Sequence, residues 1–232
     1  MKFAIYGDSF AESSFHLHPK PELDALAWTT LLAQQLGATS IDYHALGGSS
    51  LFYSYQKMLE SADQYDRVIV TASEPNRYTR ELAGHRFTGP PPVGVHYPGV
   101  SSSTMTHLLG WFGSLDYDFM NTAQELILQD IESRWPTAII VPSFRNSFTG
   151  ARAARWHNFS LVDINLKMLD HFGMKGDHSL RERNGTTGIL CHMPVEWQKD
   201  VAYIVYTFLQ TGTIKVPHLT LAHKVGYYYT SS

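Results

Sequence analysis

The residues best suited to chemistry in this sequence are Gly7, Asp8 and Ser9, which follow the first apolar run, 2–6. A short apolar run that stops at glycine and polar residues is typical of a buried strand that ends in a turn. In open α/β sheets, ligands bind just beyond the carboxyl ends of the strands. The Ser9 hydroxyl is therefore a candidate nucleophile. The alternative is that Asp8 and Ser9 only cap the next segment, because both residue types favour turns and helix starts.

Three further segments place polar or glycine residues where later elements end or begin. Gly47 and Gly48 follow the second predicted strand, residues 73–77 follow the third, and His192 precedes the last predicted helix. In a parallel sheet these segments meet at one edge. Acyl transfer needs a nucleophile, a base that takes its proton, and donors for the oxyanion. These segments supply groups of each kind: a serine, a histidine, and two oxyanion donors in a glycine N–H and the Asn76 amide.

The elements that must position these groups alternate along the chain. Apolar runs predict strands, and apolar residues at helical spacing predict helices. The predicted strands are 2–6, 40–45, 67–72, 137–141 and 159–162, and the predicted helices are about 22–36, 50–61, 118–134, 164–172 and 194–209. This alternation predicts an α/β fold with parallel strand pairing and right-handed crossovers.

One long segment interrupts this alternation. Residues 88–103 contain three consecutive prolines, three consecutive serines and several glycines without any periodicity, which predicts a surface loop or lid. A chain of 232 residues is long enough for one full core. We therefore predict a single domain over 1–232, with a long irregular insertion at about 77–115 that borders the site.

Composition excludes several other classes of function. The chain is 44% hydrophobic and its net charge is −3, so it has no broad basic field for nucleic acid or an anionic membrane. Its single cysteine, Cys191, allows no intrachain disulfide, and we expect a small buried apolar side chain there. His16 and His18 are the closest histidine pair but lack an obvious third ligand. We therefore expect neither a metal nor a cofactor.

The sequence also bears on where the protein works. No apolar run approaches the roughly 20 residues that span a bilayer. The amino terminus lacks the basic start, apolar stretch and small-residue cleavage site of a secretory signal. We therefore expect a soluble, cytoplasmic protein that binds neither nucleic acid nor membrane. A virus-encoded origin, or export by another route, is compatible with the same features.

This chain resembles the SGNH (GDSL-type) hydrolases. The resemblance is carried, in chain order, by residues 7–9 (Gly-Asp-Ser), Gly48, Asn76 and His192. Segment 191–197, which leads into an apolar helix, also looks like the last block of that family. The resemblance extends from residue 7 to the last predicted helix. It implies a three-layer α/β/α sandwich of flavodoxin-like type with a central, mostly parallel sheet.

The resemblance also implies roles for individual residues. By position, Ser9 is the nucleophile and His192 the general base. The backbone N–H groups of Ser9 and Gly48, with the side chain of Asn76, would form the oxyanion hole. The reaction would pass through an acyl-enzyme on Ser9, which water activated by His192 then hydrolyses. The implied partner is a small-molecule or carbohydrate ester.

One departure from the family pattern concerns the third member of the triad. The family usually has an aspartate three residues before its histidine, and Ile189 stands there in this chain. An imidazole without an acid loses tautomer control and stabilisation of its charged form. Asp177 or Glu182 in the preceding loop could reach His192, or a backbone carbonyl could hold the ring and leave a Ser–His dyad. A catalytically impaired binding or structural module on the same fold is the alternative to an esterase.

A second departure lies in the third block, which usually reads Gly-x-Asn. Glu74 takes the place of the glycine, and counting from the third strand shifts the expected asparagine onto Pro75. Arg77 then follows Asn76, where a small or acidic residue is common. Its guanidinium can bind an anionic group of the substrate or pair with Glu74. Pairing with Glu74 is the favoured role.

Overall fold

A computed structural model of the chain describes residues 1–11, 25, 27–75, 77, 79–82, 85–88, 101–103, 106–107, 110, 114, 116–156, 160–161 and 195–213. In chain order the strands and helices are β1 (Lys2–Tyr6), α1 (Trp28–Gln35), β2 (Ser40–Tyr43), α2 (Leu51–Ser61), β3 (Arg67–Ala72), β4 (Thr79–Leu82), β5 (His85–Thr88), α3 (Tyr117–Arg134), β6 (Ile139–Pro142), α4 (Gly150–Arg155) and α5 (Val195–Thr211). The predicted helix at 164–172 lies outside the described residues.

Four of these strands form one parallel sheet in the order β2-β1-β3-β6. Ile5 of β1 pairs with Tyr43 on one side and with Ile69 on the other. β1 and β3 are almost entirely buried, as expected for apolar, β-branched strands that helices cover on both faces. The predicted parallel pairing is confirmed.

Helices flank the sheet on both sides. α1 packs against α5, and α2 packs against α3. Because β2 and β3 lie on opposite sides of β1, right-handed crossovers place α1 and α2 on opposite faces of the sheet. The fold is therefore the predicted three-layer α/β/α sandwich. Among the described helices, none is both long enough and apolar enough to cross a bilayer.

Most helix and strand boundaries agree with those predicted from the sequence. The largest difference between a predicted and an observed boundary is at the start of α1. The predicted helix begins near residue 22, whereas α1 begins at Trp28 after Ala27 in an extended conformation (φ −61°, ψ 139°). The Trp28 N–H donates to Oε1 of Gln198 on α5, at 2.9 Å, so a tertiary contact fixes this end. The other end agrees with the prediction, since Gly37 has φ +88° just past the helix.

Two sequence predictions are wrong. Leu161 is helical, so the fifth predicted strand at 159–162 does not hold there; a short apolar run cannot be assigned by periodicity alone. The insertion at 77–115 is not irregular throughout, because β4 and β5 pair antiparallel within it. The sequence between them, Ala-Gly, is not one of the strong hairpin signals such as Asn-Gly or Asp-Gly, so the pairing was not predicted.

Candidate active site

The loops that leave the four parallel strands meet at the carboxyl edge of the sheet, and hydrogen bonds tie them together. The Ser49 hydroxyl, after β2, donates to the Gly7 carbonyl after β1, at 3.0 Å. The Leu51 N–H, at the start of α2, donates to the Ser73 hydroxyl after β3, at 2.9 Å. β1 and β3 also flank the point where the strand order reverses, which is where open α/β sheets bind ligands.

Gly7 allows the chain leaving β1 to pass directly against β3. Its φ is +138°, a conformation that residues with a side chain rarely adopt. A Cβ atom at this position would lie 2.0 Å from Oγ1 and 2.9 Å from the backbone nitrogen of Thr71. The turn that carries Ser9 therefore requires glycine here for both conformation and space.

Asp8 fixes the shape of the same turn from inside the protein. Its side chain is buried, and one oxygen, Oδ1, accepts three hydrogen bonds. The donors are the Phe10 N–H at 3.0 Å, the Thr71 hydroxyl at 2.9 Å and the Ser143 hydroxyl at 3.1 Å. These groups belong to the turn itself, to β3 and to the loop after β6. Asp8 therefore joins three separate parts of the sheet edge.

The second Asp8 oxygen is in a different environment. Oδ2 is buried and has no hydrogen-bond partner in the part of the chain that the structure describes. Burial raises the pKa of the Asp8 carboxyl above its usual value, and the nearby Arg77 guanidinium and the three hydrogen bonds only partly oppose that rise. The neutral form of this carboxyl is therefore favoured relative to an exposed aspartate.

Ser9 is the accessible residue of this turn. It is partly exposed, whereas Asp8 before it and Phe10 after it are buried. The turn closes where the Ala11 N–H donates to the Asp8 carbonyl at 3.0 Å. The Trp28 indole N–H donates to the Phe10 carbonyl at 2.7 Å and holds the far side of the turn. Ser9 thus lies at the sheet edge on a backbone fixed from two directions.

The start of α5 is connected to this turn through Trp28. The Trp28 backbone N–H bonds to Gln198, in the first turn of α5, while its indole bonds to Phe10, next to Ser9. Trp28 is almost completely buried. One side chain therefore links the amino-terminal end of the last helix to the turn at the start of the chain.

Gly48 lies in the loop after β2, at the same sheet edge. It has φ +72°, and the neighbouring Ser49 N–H donates to the Leu46 carbonyl at 3.0 Å. The Leu46 N–H and the Ser49 hydroxyl both donate to the Gly7 carbonyl. The predicted glycine is therefore carried by a loop that is bonded directly to the Ser9 turn.

Sequence reasoning missed Gln124, which fixes the start of the loop after β3. It is buried on α3, and its amide Nε2 donates to the carbonyls of Ser73 and Ser147, both at 2.9 Å. This amide connects the loops after β3 and β6. Helical spacing was the available signal: Gln124 lies four residues after Met120 and four before Leu128, both buried, whereas Gln129 lies on the exposed face.

Replacing Gln124 with leucine is expected to lower the free energy of unfolding by about 2–4 kcal/mol, because two buried carbonyls lose their donor. Urea denaturation followed by circular dichroism measures this loss. Gln129→Leu, at an exposed position of the same helix, is the control and is expected to change stability by less than about 0.5 kcal/mol. Equal stability of the two variants would contradict the role of the amide.

Arg77 follows the same loop and is held by two contacts. Its Nη2 lies 3.2 Å from Oε1 of Glu74, so the favoured pairing is confirmed. Its guanidinium carbon lies 4.8 Å from the centre of the Phe144 ring. Phe144 in turn meets Phe10 edge to face, with ring centres 5.5 Å apart. These contacts place Arg77 on an aromatic pair that borders the Ser9 turn.

No family model and no curated protein matches this sequence. Solved structures with a similar fold include a lipolytic protein of the G-D-S-L family from Veillonella parvula (10% identity, TM-score 0.41, 90% of this chain and 97% of that chain). They also include the acetyl xylan esterase AlAXEase (12%, 0.40, 91% and 100%) and the esterase EstA from Pseudoalteromonas sp. (13%, 0.41, 90% and 98%). The chain resembles the SGNH (GDSL-type) hydrolases.

Of the residues that match the SGNH pattern, Ser9 and Gly48 share the carboxyl edge of the sheet, as does Arg77. Asn76, Asp177, Glu182 and His192 lie outside the described residues, as do His16, His18 and Cys191. Across the described segments, no group of three or more His, Cys, Asp or Glu side chains could hold a metal ion.

Proposed function

We propose that this SGNH-like protein is a serine hydrolase that acts on ester bonds, with Ser9 as nucleophile and His192 as general base. The observation that carries the proposal is the link from the Ser9 turn through Trp28 to Gln198. It ties the first turn of α5 to the nucleophile turn, although the two are far apart in sequence.

The short distance along the chain from α5 to His192 supports the pairing. His192 is three residues before Val195, where α5 begins. Three residues span at most about 11 Å when fully extended. The first turn of α5 is bonded to Trp28, and we propose that residues 192–194 turn back toward the edge that carries Ser9. A base for Ser9 must come within hydrogen-bond distance of its hydroxyl.

The proposed chemistry proceeds in two steps. The Ser9 oxygen attacks the ester carbonyl carbon while His192 takes the hydroxyl proton. The backbone N–H groups of Ser9 and Gly48 and the Asn76 amide hold the negative oxygen that forms. The alcohol leaves with the proton from His192, and the acyl group stays on Ser9. Water, deprotonated by His192, then attacks the acyl-enzyme and regenerates the serine.

The His192 imidazole needs a hydrogen-bond acceptor that fixes its tautomer. Ile189 stands at the position where the SGNH family usually has an aspartate for this purpose. Asp177 and Glu182 are the proposed orienting acids, and a backbone carbonyl in their place leaves a Ser–His dyad. The substrate class is a small-molecule or carbohydrate ester. We assign Arg77 to the wall of the substrate site. Because Glu74 balances its charge, the site suits a neutral ester better than an anionic one.

A fluorophosphonate probe tests this function directly. The folded protein is expected to be modified at one site, and peptide mapping is expected to place the adduct on Ser9. His192→Gln is expected to slow labelling at least about a hundredfold, since a general base contributes factors of this size. The exposed histidine variant His107→Gln is the control and is expected to label like the parent protein.

The alternative function has a distinct outcome in the same assay. A binding or structural module on this fold would leave the probe unreacted while the protein stays folded by circular dichroism. Labelling at residues other than Ser9, or a His192→Gln variant that labels as fast as the parent, would also contradict the proposed mechanism.

A further inference from the structure

We propose that Asp8 is a positioning residue for Ser9, and that it acts through a single acceptor oxygen rather than through its charge. This inference rests on the proposed function of Ser9. It concerns the residue directly before the nucleophile, which lies inside the protein and is not expected to touch the substrate.

The geometry around Oδ1 carries the proposal. Three donors converge on this one atom, and they come from the Ser9 turn, from β3 and from the loop after β6. Thr71 also accepts a hydrogen bond from the Asp8 N–H at 3.1 Å, so Asp8 and Thr71 are bonded twice. Ser9 is the next residue along the chain. Its backbone position is therefore held by the Asp8 contacts.

The surroundings of Oδ2 point to an acceptor that works without its charge. This oxygen is buried and unpartnered among the described residues. A buried carboxylate with one unsatisfied oxygen is costly, so burial favours the uncharged form of this group. Among the residues that the structure describes, Arg77 is the charged group that acts on Asp8, and its own ion pair with Glu74 weakens that effect. Thr71 and Ser143, from the neighbouring elements, carry no charge.

The test compares Asp8→Asn, which keeps an acceptor oxygen, with Asp8→Ala, which removes it. Fluorophosphonate labelling at several probe concentrations gives the rate constant of the covalent step, the apparent affinity for the probe and the fraction of reactive protein. Asp8→Ala is expected to lower the rate constant at least tenfold, with about a hundredfold as the natural scale for an error near 1 Å in position. Asp8→Asn is expected to stay within about threefold of the parent, because it keeps an acceptor oxygen where the three donors converge.

The separate readouts distinguish positioning from mere loss of stability. A variant that is only partly folded lowers the reactive fraction and leaves the rate constant of the remaining molecules unchanged. Val68→Ala, a buried change in the amino-terminal half of β3, is the control for this effect. If Asp8→Ala does not fold, Thr71→Val and Ser143→Ala each remove one donor to Oδ1 and are expected to lower the rate constant by smaller factors.

The outcomes separate this inference from the proposed function. If the parent is labelled at Ser9 and the folded Asp8→Ala variant, or both single-donor variants, react at the parental rate, the positioning role is overturned. If Asp8→Asn is as slow as Asp8→Ala, the charge matters and the inference is also overturned. A folded parent that the probe does not label at Ser9 overturns the proposed function, and this role of Asp8 falls with it.

Discussion

Ser9→Ala is expected to abolish turnover of a short-chain aryl ester, with a loss of at least about a thousandfold in kcat/KM. The reason is that no other group in the proposed mechanism can form the acyl-enzyme. The stability of the fold is expected to change by less than about 0.5 kcal/mol, because Ser9 is partly exposed. Release of the coloured alcohol measures the rate, and thermal unfolding measures the stability.

Two controls in the same assay show whether the loss of activity is specific to Ser9. Ser114→Ala changes an exposed serine and is expected to retain the parental rate. The chain contains twelve histidines, which can hydrolyse activated esters slowly, so heat-denatured protein gives the background. A Ser9→Ala variant that turns over the ester as fast as the parent, above that background, would exclude the proposed nucleophile.

Gly7→Ala is expected to destabilise the fold strongly. The new Cβ would lie 2.0 Å from Oγ1 and 2.9 Å from the backbone nitrogen of Thr71, in a backbone conformation with φ +138°. Strain and overpacking each cost about 1–3 kcal/mol, so the free energy of unfolding is expected to fall by about 3 kcal/mol or more. Urea denaturation measures this change.

The chain offers a matched control for this substitution. Gly212 also has a positive φ, +66°, but an added Cβ there meets nothing within 4 Å. Gly212→Ala is therefore expected to cost about 1 kcal/mol, from backbone strain alone. Thr71→Ala removes the hydroxyl that the Gly7→Ala methyl would strike, so Gly7→Ala is expected to cost less in the Thr71→Ala background than in the parent. Similar stabilities for Gly7→Ala and Gly212→Ala would contradict the close approach of β1 to β3.

The sequence predicted the sheet well because each of its strands has a strong local signal. β1 and β3 are apolar runs that end at polar residues, and their predicted bounds agree with the structure. The start of α1 was not predictable in the same way. Trp28 takes its hydrogen-bond acceptor from Gln198, which is 170 residues away, and no local pattern reports such a contact.

The candidate site was predictable only in its most local parts. The Gly-Asp-Ser motif placed Ser9 at the end of a strand, and the interpretation of Asp8 as a turn residue is confirmed by its bond to the Phe10 N–H. The roles of Thr71 and Ser143 were not predictable from the sequence. A threonine inside a strand and a serine after one carry no local signal, and only the fold brings these two side chains to Asp8. The pairing of Arg77 with Glu74 was predicted, since the two are three residues apart.

The bond between Asp8 and Ser143 has a consequence for how the protein is made. The two residues are 135 positions apart, and β3 lies between β1 and β6 in the sheet. During synthesis the first strand leaves the ribosome long before its partners exist, and contacts between distant residues form slowly. The turn that carries Ser9 therefore takes its final shape only after most of the polypeptide has been translated, so an unfinished chain does not yet hold the proposed nucleophile in place.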